Sequence, residues 1–238
     1  PQRKIVPPIL KIDASMIKIV NQFNFLGIEM DTSMTFTNHL SKIQTKISRS
    51  IGVMNRMKHF LPEYTLLTIY NTLVMPYLIY GINVWGTHYK KLERLQKRAI
   101  RIVSNASYNA HTEPIFKRLN VLKLQDLLRM HELKFCYKYI NNILPDYFTN
   151  LLSYNSDIHS KNTRQSSNFQ IPKIKHSFAK SNNRYRIATT YNQCPTEIKT
   201  KFYTHSLAGI SSYIKNTILD SYDAECMVKN CYICHKVQ

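Results

Sequence analysis

Apolar residues recur along this chain in two different rhythms. Between residues 4 and 30 they fall in short runs, KIVPPILKI and MIKIV around an Asp13-Ala14-Ser15 turn, then NQFNFLGIEM. These runs predict short strands, and Pro7 and Pro8 put the first at an edge or bulge because proline has no N–H to give a ladder. From Thr35 the spacing changes to three and four: Leu40, Ile43, Ile47, Ile51, Met54 and Met57 predict one amphipathic helix to about His59, with Thr37 as N-cap and Leu61-Pro62 as the stop. A second helix is expected from Glu63 through Leu66, Leu67, Tyr70, Leu73 and Val74, with a kink at Pro76 and a restart over Tyr80 to Trp85.

The third helix, Leu92 to Val103, carries the strongest sorting of side chains. At about 100° per residue, Lys90, Lys91, Arg94, Lys97, Arg98 and Arg101 fall within an arc of roughly 120°, and Leu92, Leu95, Ala99, Ile102 and Val103 lie opposite. Only Glu93 interrupts the positive run. Such a face is either a solvated surface or a seat for a polyanion. After a turn at Ser104 to Ala110, Thr112-Glu113-Pro114 predicts a short helix to about Leu119, and Leu124, Leu127, Leu128, His131, Leu133, Cys136 and Ile140 predict a long one over residues 123–142. From Thr149 to Asn183 the texture turns to Ser, Asn, Lys, His and Thr, which predicts an irregular, partly ordered connector. The apolar signal returns over Tyr185 to Tyr191, and a last amphipathic helix is expected over Ser206 to Tyr222. The expected fold is therefore mainly α: a helical bundle preceded by a small antiparallel β element, with an irregular connector and a C-terminal helix.

Composition sharpens the choice of partner. With 33 Lys and Arg against 14 Asp and Glu in 238 residues, the net charge is +19, more than solubility needs. Nucleic acid is the first candidate, because each neutralised phosphate releases counterions. The longest apolar tract, Leu73 to Trp85, is broken by Pro76, Gly81 and Asn83 and is too short to span a bilayer, so no membrane partner is expected. The odd set of five cysteines argues against a secreted disulfide framework and for an intracellular protein, nuclear or cytoplasmic. Cys136 reads as a small core residue. Cys226, Cys231 and Cys234 near the C-terminus contain one Cys-x-x-Cys pair and could supply three zinc ligands, but His235 adjoins Cys234 and would strain a tetrahedron. Reduced thiols without a cofactor are the expected state and a zinc site the alternative.

Taken in order, Phe25-Leu26-Gly27-Ile28 with Asp31, the long helix, Leu73-Val74-Met75-Pro76-Tyr77-Leu78-Ile79-Tyr80-Gly81, Val84-Trp85-Gly86 and the Leu92 to Ile102 helix form a series. Pro114-Ile115-Phe116, Leu119-Asn120-Val121-Leu122, Asn162-Thr163-Arg164 and Tyr191-Asn192-Gln193-Cys194-Pro195 continue it. The series resembles the C-terminal part of non-LTR retrotransposon (LINE-type) reverse transcriptases: the end of the palm, the thumb and the region after it. In that family the last motif usually reads Trp-Asn-x-Leu-Pro, so Tyr191 and Cys194 are departures. The resemblance implies a division into residues 1–33 (end of palm), 34–144 (thumb-like bundle), 145–205 (connector) and 206–238 (C-terminal helix and cysteine tail).

It also implies roles. Phe25, Leu26 and Gly27 match the strand and turn where backbone approaches the primer end; a strand glycine at a bulge is the plain alternative. The basic helix would hold an RNA or RNA–DNA duplex by its phosphates, without reading sequence, and Lys42, Lys46 and Arg49 extend that surface or form the solvated side of their helix. Trp85 is expected in the core rather than on a base. The family's polymerase chemistry needs clustered carboxylates holding two metal ions. No Tyr-x-Asp-Asp occurs here, and Glu29 and Asp31 read as strand-end and turn residues. The implied partners are template–primer nucleic acid and the upstream palm and fingers of the same polyprotein. A helical module that docks on a separate palm, with nucleic-acid binding incidental, is the competing expectation.

Overall fold

The computed structural model describes residues 10–13, 15–158, 163–223 and 225. Two antiparallel hairpins open it: β1 (Lys11–Ile12) with β2 (Ser15–Met16), and β3 (Gln22–Phe25) with β4 (Ile28–Asp31), the latter in register Phe23↔Met30 and Phe25↔Ile28. NQFNFLGIEM thus folds back on itself around Leu26-Gly27. Both turn residues have positive φ, 48° and 82°, the handedness that a two-residue hairpin turn needs.

The helices follow as α1 (Thr37–Met57), α2 (Glu63–Leu73), α3 (Met75–Ile79), α4 (Ile82–Trp85), α5 (Lys90–Val103), α6 (Glu113–Arg118), α7 (Leu124–Ile140), α8 (Asn183–Asn192), α9 (Thr196–Lys201) and α10 (Leu207–Asp220). The mainly helical class and its small β preface are as the periodicity predicts. Thr37 does not cap α1. The N-cap is Phe36, buried and left-handed at φ 55°, with no side-chain cap of its own. The Asp31 carboxylate instead fixes the loop leading into α1, accepting from the N–H groups of Ser33 (3.0 Å), Thr35 (3.0 Å) and Phe36 (2.6 Å). These bonds, Thr35 first, hold its carboxyl below the usual pKa. A short acid at the strand end can reach amides that a threonine already inside the helix cannot.

One core runs from Phe36 to Tyr222. Helix α1 lies along α5, and α7 is central, touching α3, α4, α5, α8 and α10. Trp85 is fully buried and donates through Nε1 to the Tyr80 carbonyl at 2.7 Å, which settles it as core. Cys136 is also fully buried. Pro76 sits in the first turn of α3, where its missing N–H costs nothing, and the chain breaks again at Gly81 (φ 64°) before α4.

Within 145–205, the described residues 145–158 and 163–182 form only short turns of 3-10 helix and irregular chain, and α8 and α9 follow. Asn192 pins the irregular part: its Oδ1 accepts from Phe169 N at 2.9 Å and its Nδ2 donates to Phe169 O at 2.8 Å. Phe169 packs between Tyr154 and Tyr191, with ring centroids at 4.6 and 4.5 Å. Tyr191 and Cys194, the two departures from the family motif, are both buried, so each fills core volume that Trp and Leu would fill.

Candidate nucleic-acid interface

Helix α5 is anchored by more than its apolar side. Gln96 is completely buried; its Nε2 donates to Tyr70 Oη and to the Leu122 carbonyl, both at 3.0 Å, and its Oε1 accepts from Leu124 N at 2.8 Å. That last bond satisfies one of the orphan N–H groups at the start of α7. A buried amide with three partners fixes the rotation of α5 about its own axis, because turning the helix would leave those groups unpaired in the core. Leu92, Ala99, Ile100, Ile102 and Val103 are buried beside it.

Fixed in this way, α5 presents Lys90, Lys91, Arg94 and Arg98 to solvent, and none of the four has an ion-pair partner among the described residues. They span an arc of about 100°. The other two expected contacts differ. Lys97 pairs with Glu93 at 2.6 Å, one turn back. Arg101 is half-buried under the loop that follows α5: its Nε donates to the Ala110 carbonyl at 2.8 Å and burial lowers its pKa. Arg101 therefore braces the loop after α5, because the chain curls back over the end of the helix there.

On α1, Lys42, Lys46 and Arg49 share one exposed face. Lys42 is bound to the Glu29 carboxylate of β4, and Lys46 Nζ stands 5.3 Å from the Tyr77 ring centre; Arg49 makes no ion pair among the described residues. The helices α1 and α5 start at the same end of the bundle, where Phe36 and His88 stand 6.1 Å apart and His39 and Trp85 6.2 Å apart.

The β3–β4 turn is attached to that end. Leu26 is exposed while its carbonyl accepts from Tyr80 Oη, and Gly27 N donates to Asn24 Oδ1 at 3.0 Å. Gly27, Asn24, His39, Lys42 and Lys46 line a cleft between the hairpin and α1. His39 is buried there, accepts weakly from Glu29 N at 3.4 Å, and has its pKa lowered by burial. Gly81 allows the hairpin to seat: at φ 64° a Cβ would collide with Ile28 Cδ1. Gly81→Ala is expected to cost about 1–2 kcal/mol for the left-handed backbone alone, read as a lower urea midpoint.

Among the described residues no group of three or more His, Cys, Asp or Glu could hold a metal ion, and no helix is long and apolar enough to cross a membrane. Cys226, Cys231 and Cys234 lie outside the described residues. Sequence patterning missed Gln96, which reads as one more polar residue on a polar helix; its place at 240° from Lys90, amid Leu92, Val103 and Ile100, was the available signal.

The chain is 30% identical over 129 residues to the RNA-directed DNA polymerase from mobile element jockey of Drosophila funebris, a match covering 51% of this chain and 14% of that protein. The corresponding jockey polymerase of Drosophila melanogaster is 28% identical over 129 residues, and the probable RNA-directed DNA polymerase from transposon X-element of the same species 22% over 142. This chain is related to LINE-type reverse transcriptases. It spans about one seventh of the length of the curated relatives it matches, at 14–15%. No family model matches it, and no solved structure gives a significant match.

Proposed function

We propose that this chain is the part of a LINE-type reverse transcriptase that grips template–primer nucleic acid by its phosphates, with catalysis supplied by carboxylates outside it. The observation that carries this reading is the set of exposed cations on α5 with no ion-pair partner among the described residues, held on one face by the buried Gln96. Backbone contacts of this kind position a duplex and carry no sequence information. The β3–β4 turn would stand at the primer end of that grip. Binding to an RNA–DNA hybrid should be sequence-independent and fall steeply between about 50 and 200 mM salt; affinity that is flat with salt would exclude a phosphate grip.

A second reading has its own observation. Leu10, Ile12, Met16, Phe23, Phe25 and Leu26 are all exposed on the two hairpins, an apolar concentration of the kind that marks an interface. This surface would dock on a palm domain. The chain alone is expected to self-associate at high concentration in sedimentation experiments, and Phe23→Ser with Phe25→Ser should make it monomeric. A monomer at every concentration would remove the basis for this reading.

A further inference from the structure

Between Asp157 and Glu197 the sequence has no acidic residue. In this stretch Lys173, Lys175, Lys180 and Arg184 are exposed, and none of the four has an ion-pair partner among the described residues. In their midst His176 and Phe178 stack nearly parallel, with centroids 5.8 Å apart and planes at 12°. Phe178 is 75% exposed and belongs to no part of the core. An aromatic face left in water amid exposed lysines is the combination that receives an unstacked base while the lysines follow its backbone.

We propose that residues 173–184 form a second nucleic-acid site, one for single-stranded nucleic acid, separate from the duplex face of α5. A duplex offers phosphates but keeps its bases stacked, so it cannot use Phe178; a single strand can use both. The segment has a fixed base to work from, since the turn at Ser177–Ser181 leads directly into α8, whose N-cap Asn182 accepts from Arg184 N at 2.8 Å. An anionic bilayer is the other polyanion that basic and aromatic residues attract, but surface-binding segments bury an apolar helical face. This stretch is irregular, with one large ring exposed rather than a stripe.

Fluorescence anisotropy of the full chain with a mixed-sequence single-stranded RNA and with a hairpin-capped RNA–DNA duplex tests this. Phe178→Ala is expected to weaken single-strand binding by about 5- to 150-fold, the value of one stacked base, and to leave duplex binding unchanged. Replacing Lys173, Lys175 and Lys180 with Gln should flatten the single-strand salt slope by about 2. Single-strand affinity that ignores Phe178, an equal loss on both ligands, or Phe178-dependent adsorption to phosphatidylserine vesicles without RNA binding would overturn the proposal. A parent chain that binds the single strand through Phe178 but does not bind the duplex would count against the α5 grip and leave this site standing.

Discussion

Replacing Lys90, Lys91, Arg94 and Arg98 together with Gln is expected to abolish most of the salt dependence of duplex binding. Each phosphate contact contributes about 0.9 to the slope of log affinity against log salt, so four contacts contribute about 3.6. Across a fourfold salt change, from about 50 to 200 mM, that slope corresponds to a loss on the order of a hundredfold in the parent chain and little in the variant. The four residues are exposed and have no ion-pair partner among the described residues, so their removal should leave the far-UV spectrum and unfolding midpoint nearly unchanged. Lys97→Gln and Arg101→Gln are useful contrasts. Lys97 is partnered by Glu93 and Arg101 by the Ala110 carbonyl, so each should contribute less to the slope, and Arg101→Gln should instead loosen the loop after α5. If the quadruple variant keeps the parent's slope, the phosphates are held elsewhere and α5 is a solvated face.

That contrast also shows how far sequence reaches. The face of α5 was legible because a helix on the outside of a bundle has one wet side and one dry side, and the period of 3.6 separates them. What the period does not carry is which cations are already engaged. Lys42 is neutralised by Glu29 of β4, 13 residues away in sequence, and Arg101 is engaged by a carbonyl whose position depends on how a loop closes. Helix α7 shows a different limit: its period was legible over residues 123–142, but not how many of its sides are dry. It is surrounded by α3, α4, α5, α8 and α10, so it has no single apolar stripe, and Leu124, Leu128, Glu132 and Tyr137 are all buried. Likewise α8 and α9 follow a stretch whose composition resembles disorder; their order comes from tertiary contacts, with Asn192 on Phe169 and the aromatic stack behind it, rather than from local propensity.

Glu132 is where those tertiary contacts are most concentrated, and its loss should be the most destabilising change among those considered for the bundle. It is 4% exposed on α7. Arg186 of α8 donates to its Oε1 from both Nε (2.8 Å) and Nη2 (2.5 Å), and Thr190 Oγ1 donates to Oε2 at 2.5 Å. Arg186 Nη1 also reaches the Asn83 carbonyl of α4 at 3.5 Å, so one guanidinium ties three helices. Glu132→Ala would leave that guanidinium desolvated without its counter-charge, an arrangement that costs about 3–5 kcal/mol. A fall of this size in urea unfolding free energy is expected, with the amides of α8 losing hydrogen-exchange protection first. Replacing both partners tests the cause. Glu132→Leu with Arg186→Met removes the charges and keeps volume, and apolar replacement of a buried pair is often neutral or better, so the double variant should recover most of the loss. A double variant no more stable than Glu132→Ala would mean that the carboxylate matters through Thr190 and packing rather than as the partner of Arg186.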